Sequence, residues 1–269
     1  MFGNRPWFET HVTFLLGARI RQPGLFGRAS TGGDTRDGAG DRTAAGVGLG
    51  LSRAIGIGGV LTYNWWAVAP FIHGMITSTA GFFSDFSADG EPHASVLHAL
   101  DLSSGLLILA ALLLRRWACP GERRREWPWL MGFGVAVAIG GRYSYACPSS
   151  LDLVCRARER SLMLPLHHYV HMGAGVAEFA FATVAIYVAA HPRTGAAADA
   201  VTRTAHMLLW VLLAAYPVIG FAYLQDRWGV FVEPIFFAAF SVIVTAELLA
   251  PAPPGTRTVA RPGSRSHQR

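Results

Sequence analysis

The sequence contains no lysine; all 23 of its basic residues are arginine. Charge of either sign is sparse, at 15% of residues against roughly 25% in soluble domains. Hydrophobic residues make up 52% of the chain and gather into blocks, with mean hydropathy +0.33. That combination reads as a membrane protein rather than a soluble one. The arginines form no patch interleaved with aromatics, so the net charge of +6 does not point to a nucleic-acid partner. Phosphate loops, dinucleotide fingerprints and serine-nucleophile elbows are also missing. The early run "HVTFLLGARI" is too short for a signal peptide and no small-residue cleavage site follows it.

Crossing a bilayer takes about 20 consecutive apolar residues. Six stretches approach that length: 54–72, 96–114, 127–141, 164–190, 205–224 and 230–249. The expected fold is therefore all-α, a polytopic bundle of six transmembrane helices. Arginines crowd the segment before the first span, the second-to-third loop ("RR" at Arg115–Arg116 and "RRR" at 123–125) and the tail. By the positive-inside rule both termini then lie in the cytoplasm. The third-to-fourth loop dissents, with Arg156, Arg158 and Arg160. Residues 1–50 are too rich in Gly, Ala, Asp and Arg to pack and are expected to be poorly structured. Residues 51–250 form the membrane domain, and 251–269 a flexible cytoplasmic tail. The expected location is the bacterial cytoplasmic (plasma) membrane, with membrane lipids as partners. Trp65, Trp66, Trp127, Trp129 and Trp228 read as an interfacial aromatic belt.

Cysteine is scarce, with three residues. Cys147 and Cys155 share the expected outer loop "CPSSLDLVC", where oxidising conditions permit a disulfide. Cys119 falls at the cytoplasmic end of the second span and is expected to stay reduced.

Several stretches recur in the order in which a known family carries them: "YNWWAVAPF", "SDFSADGEPHASVLHALDLSSGLLILAALLL", "CPSSLDLVCRARE", "LHHYVHMGAGVAEF" and "GFAYLQDRWGVFVEPIFFAAF". Over residues 55–250 the chain resembles the bacterial integral-membrane family known as domain of unknown function 998, in its actinobacterial form. The resemblance implies a membrane protein of six to seven helices and no particular activity.

The polar residues within the spans are few and grouped. At 100° per residue, His167, His168, His171 and Glu178 occupy one arc of about 100° on the fourth span. Such a stripe faces the bundle interior or a water-filled cavity, because charge turned to lipid costs at least about 2.5–3.5 kcal/mol per residue. On the second span His98, Asp101 and Gly105 repeat the spacing of His168, His171 and Gly175. If the two helices meet through these glycines, His98, Asp101, His168 and His171 converge near the outer surface, with Glu178 about 15 Å deeper. Three imidazoles and a carboxylate make a zinc donor set, so zinc is the cofactor this pattern would take. The outer loop brings Asp85 and its neighbours, read first as a solvated turn around "ADGEP" and second as a lid. Arg142, Asp226, Arg227 and Glu233 are expected to pair near the outer surface.

Two functions follow. The first is an outward-facing cavity lined by His98, Asp101, His167, His168, His171, Glu178 and Asp85 that binds a lipid headgroup, small molecule or ion. The second is a metal-dependent hydrolase acting on a lipid or amide at the outer leaflet. A proton relay through Glu178 ranks behind both.

Overall fold

A computed structural model describes residues 37–72, 78, 81–122, 124–191, 199–225 and 228–251, with side chains from Gly46 onward. Contacts divide the chain after Asp37, and the helical body belongs to the second unit, Gly38–Arg269. Residues 252–269 of the expected tail and 1–36 of the expected extension lie outside the described residues, as do Asp226 and Arg227.

Eight α-helices and two short 3-10 turns (Trp65–Ala67 and Ala69–Phe71) make up the structure, with no strand among the described residues. The helices are α1 (Asp37–Tyr63), α2 (Phe83–Phe86), α3 (Ala94–Ala118) and α4 (Trp127–Arg142). They continue with α5 (Leu153–Arg160), α6 (Leu166–Ala190), α7 (Ala200–Gln225) and α8 (Gly229–Leu249). Four of them, α3, α6, α7 and α8, are long and apolar enough to cross a membrane. α4 has 16 residues, and α1 begins in the polar stretch "DGAGDRT". α1 also runs unbroken through residue 50, where the boundary of a poorly structured extension was expected. Its apolar second half packs on the bundle, which gives those turns a partner.

Lipid and apolar side chains resemble each other as solvents, so helices in a bilayer adhere by close packing and hydrogen bonds. Both are visible here. The α1–α3 pair is antiparallel: Ser52 Oγ donates to the Ala111 carbonyl at 2.7 Å and Ser104 Oγ to the Gly59 carbonyl at 2.9 Å. Asn64 Nδ2 donates to Ser241 Oγ at 2.6 Å, tying α1 to α8. α3 and α4 approach through glycine. A Cβ on Gly105 would sit 2.4 Å from the Ala138 nitrogen, and one on Gly141 would sit 2.1 Å from that of Leu102. Phe133, Phe236, Phe240, Ile186 and Leu212 fill the centre of the bundle.

This packing corrects two expectations. Gly105 meets α4 rather than the histidine helix, while a Cβ on Gly175 would touch nothing within 4 Å. The second and fourth expected spans are held apart by the third, because α4 carries Gly134 and Gly141 against α3 and packs its other side on α6. Of the supposed belt, Trp65 and Trp127 are buried, whereas Trp129 and Trp228 are exposed. The two buried indoles donate inward, Trp65 to Asp101 at 2.8 Å and Trp127 to Glu247 at 3.4 Å.

One end of the bundle holds the disulfide Cys147–Cys155, whose Cα atoms are 6.0 Å apart. The other end is organised by arginine. Arg115 is fully buried and grips Glu122 through Nε and Nη2 at 3.0 and 2.9 Å. It also donates to the carbonyls of Leu248 and Ala250 at 2.7 and 2.9 Å. Arg53 adds a bond to the Leu248 carbonyl at 3.2 Å. Two guanidinium groups thus satisfy the orphan carbonyls at the C-terminus of α8, where the helix dipole is negative. Arg124 pairs with the same Glu122 at 2.8 Å and with Glu247 at 3.4 Å. Burial works against its charge, but Glu247 and Glu122 outweigh that and raise its affinity for the proton. Cys119 is buried beside this cluster as a free thiol, and burial raises it, helped by Glu122.

Candidate functional site

At the disulfide end the helices enclose a cavity of about 610 Å³. Its floor is set by Glu178, twelve residues into α6 and so about 18 Å along the helix. Tyr63, the last residue of α1, hydrogen-bonds Glu178 through its hydroxyl. Asp101 accepts from the Trp65 indole, and Glu233, in the first turns of α8, accepts from the Phe83 amide at 2.5 Å. Each of these carboxylates therefore has one oxygen held by a protein donor.

The roof comes from the segment expected to be a solvated turn. Phe82, Phe83, Asp85, Phe86, Ser87 and Ala88 are all buried, which overturns that expectation for these residues, while Gly90, Pro92 and His93 stay exposed. The reason lies in the side chains. Phe83 packs edge-on against Trp65 and Phe86, and Asp85 Oδ2 accepts the Phe82 amide at 2.8 Å. Asp85 Oδ1 takes the Ser150 amide from the disulfide loop at 3.2 Å. Burial raises the Asp85 carboxyl above its ordinary range, and the two amide bonds only partly offset it. Tyr145 is likewise raised, by burial first and then by the charge of Asp85 and Glu159.

The histidines divide. His168 is fully buried with both nitrogens engaged: Nδ1 accepts the Ala146 amide at 3.2 Å, so Nε2 carries the hydrogen and donates to Glu159 at 2.9 Å. His171 donates from Nδ1 to the carbonyls of Tyr143 and Gly140 at 2.6 and 3.0 Å. Its ring and that of His168 pack on Tyr145, with centroids 4.3 and 4.6 Å away. His171 lines the cavity; His168 fastens its wall. His98 reaches the His171 ring edge-on at 6.3 Å, but lines a second, polar hollow of about 560 Å³ with Asp89, Glu91, His93 and Arg142. Neither ring nitrogen of His98 has a partner. His167 is half-exposed, its Nε2 3.6 Å from Asp89.

Of the seven residues expected to share a site, Asp85, Asp101, His171 and Glu178 line the main cavity, and His98, His167 and His168 do not. Among the described residues no three His, Cys, Asp or Glu side chains are gathered as ligands of one metal ion. His168 in particular has no nitrogen to spare for zinc.

Sequence reasoning missed Glu233, Glu159, Tyr145 and Trp65. Glu233 was expected to pair with arginine at the surface, yet Arg142 instead lies over the Tyr143 ring at 5.7 Å. Its position five residues after a left-handed Trp228 (φ 66°) at the start of α8 turns it inward, which no periodicity could reveal. The proline that follows it, Pro234, is the sixth residue of α8 and cannot donate to the Val230 carbonyl, so that helical bond is missing.

The described residues form an all-helical body with four helices long and apolar enough to cross a membrane, consistent with a multi-pass membrane protein. Residues 56–252 match the family described as "Protein of unknown function (DUF998)", and the chain belongs to that family. No curated protein and no solved structure matches it.

Proposed function

We propose that this is a six-span protein of the bacterial plasma membrane whose cavity, open to the exterior half of the bilayer, binds a small polar ligand or lipid headgroup. The single observation that carries the reading is the cavity itself. Its volume falls in the range of ligand sites, about 300–1,000 Å³, and its lining combines aromatic side chains with a few carboxylates, Asp101, Glu178 and Glu233. Each has one oxygen held by a donor among the described residues, and buried carboxylates are costly to a fold unless something meets them. The hydrolase alternative has less support, since His168 is committed to the wall.

Native mass spectrometry of the protein released from its own membranes tests this. A co-purifying adduct is expected on the wild type and absent from Asp101→Asn/Glu233→Gln, whose thermal melt stays close to the parent's. A folded wild type that never carries an adduct removes the ligand reading.

Orientation is tested separately. In this topology Cys147 and Cys155 face outward and Cys119 inward. After mild reduction of whole cells, a membrane-impermeant maleimide should label the first two and spare Cys119. Labelling of Cys119 alone would invert the topology.

A further inference from the structure

The lining of the cavity is one-sided in charge. Asp85, Asp101, Glu159, Glu178 and Glu233 contribute to it, and among the described residues no arginine does. Arg156, on α5, is turned to the carbonyls of Ser149 and Ser150 at 3.0 and 2.7 Å. Two of the five acids are largely occupied: Asp85 by two amides and Glu159 by His168. Asp101, Glu178 and Glu233 are less so. The rings of Trp65, Trp66, Phe83, Phe179 and Phe237 line the same cavity, and the Trp66 indole nitrogen is buried without a partner among the described residues. Carboxylates and aromatic faces in one cavity suit an organic ammonium, attracted by both the charge and the ring quadrupoles. They suit a bare metal ion poorly, because a metal needs several oxygens converging on one point.

A second observation concerns the wall between α6 and α7. Val176 and Tyr223 line the cavity and are also 73% and 59% exposed. Gly175 and Gly220 line it as well, and a Cβ added to either would meet nothing within 4 Å. Two glycines facing open space, flanked by two strongly exposed side chains, describe a lateral slot. Pro217 lies one turn before it in α7, where its ring cannot donate to the Leu213 carbonyl and crowds it. The outer face of α7 beside the slot presents Val218, Phe221 and Leu224, all exposed and apolar. The slot therefore gives onto the surface that lipid would cover.

Resting on the ligand-binding reading above, we infer that the cavity takes the ammonium headgroup of a membrane amphiphile, admitted sideways between α6 and α7, with the acyl chains left in the slot and the bilayer. Asp101, Glu178 and Glu233 meet the charge, the rings meet its alkyl surface, and Gly175 and Gly220 leave room for the tail.

The test is a native mass-spectrometric titration of the detergent-solubilised protein with three lipids of matched chains: phosphatidylethanolamine, phosphatidylcholine and phosphatidylglycerol. At least one of the two ammonium lipids should bind roughly tenfold more tightly than phosphatidylglycerol. Asp101→Asn/Glu178→Gln should erase that preference. Gly220→Phe, placed in open space, should block lipid binding while leaving the melting temperature unchanged. Tetramethylammonium, which has no tail, should bind the wild type weakly and compete with the lipid. If tetramethylammonium binds as tightly as the lipids and Gly220→Phe changes nothing, the ligand is a free cation and the slot is refuted. If phosphatidylglycerol matches the others, or if the protein retains a neutral or anionic native adduct and ignores both ammonium lipids, the ammonium assignment fails while the ligand-binding reading stands. Failure of both readings would look different: no adduct of any charge on a folded protein.

Discussion

Replacing Arg115 by alanine is expected to lower stability by about 3 kcal/mol, the lower part of the range for breaking a buried ion pair by removing one partner. The side chains of Arg115 and Glu122 are 0% and 1% exposed, so neither water nor detergent headgroups can replace the lost guanidinium. Its removal strands one face of Glu122 and leaves the Leu248 and Ala250 carbonyls only the longer bonds from Arg53. Arg124 still holds Glu122 from the other side at 2.8 Å, which is why the higher part of the range is not expected. For a chain of this size the loss corresponds to a fall in melting temperature of roughly 6–12 °C, readable by thermal denaturation in detergent. Arg115→Lys should recover only part of it, since an ammonium cannot make the two-pronged contact. A melt for Arg115→Ala within a degree or two of the parent would show that the cluster contributes little.

The second large effect separates two glycines that look alike in sequence. Gly141→Ala puts a methyl group 2.1 Å from the Leu102 nitrogen, and its neighbours there are backbone atoms of α3 that cannot rotate away. The helices must part, at a cost of about 1–3 kcal/mol for overpacking. Gly175→Ala adds the same methyl to open space and gains as much as about 1 kcal/mol from helix propensity. The two variants should therefore shift the melting temperature in opposite directions. Parallel losses would mean that the slot is closed by packing. The Gly141 variant should also weaken any ligand binding, because Asp101 and Gly141 stand at the same level and both line the cavity.

The main lines of the fold were legible because apolar blocks report lipid-facing or buried helices whatever their partners. The polar stripe on α6 was legible for the same reason, and Asp101, His171 and Glu178 do line the cavity. Which helix touches which was not. Gly105 and Gly175 share a spacing, but one faces a neighbouring backbone and the other faces space, and only the third dimension distinguishes them. His168 and His171 lie one turn apart, and their different partners come from Glu159 on α5 and from Ala146 and Tyr143 in the connection before it. Trp65 and Trp127 carry the same composition signal as a belt tryptophan; what turns them inward is an acceptor far along the chain, Asp101 for one and Glu247 for the other. Residues 82–88 lie beside the turn-forming "ADGEP" and read with it as a loop, and their burial depends on Trp65 and Ser150, which no local window contains.

The arginine end has one more consequence, for how such a chain is oriented as it is inserted. Counting arginines treats each as a charge that the anionic leaflet can feel. Arg115, however, is sealed away against Glu122 and two carbonyls, and Arg53 is turned to the same helix end. Once folded, Arg115 is an internal fastener that adds nothing to the attraction between protein and phosphate surface, and Arg53 spends part of its charge on the same helix end. The topology signal read by the insertion machinery and the electrostatic grip of the finished protein on its leaflet are therefore different quantities, and the second is the smaller.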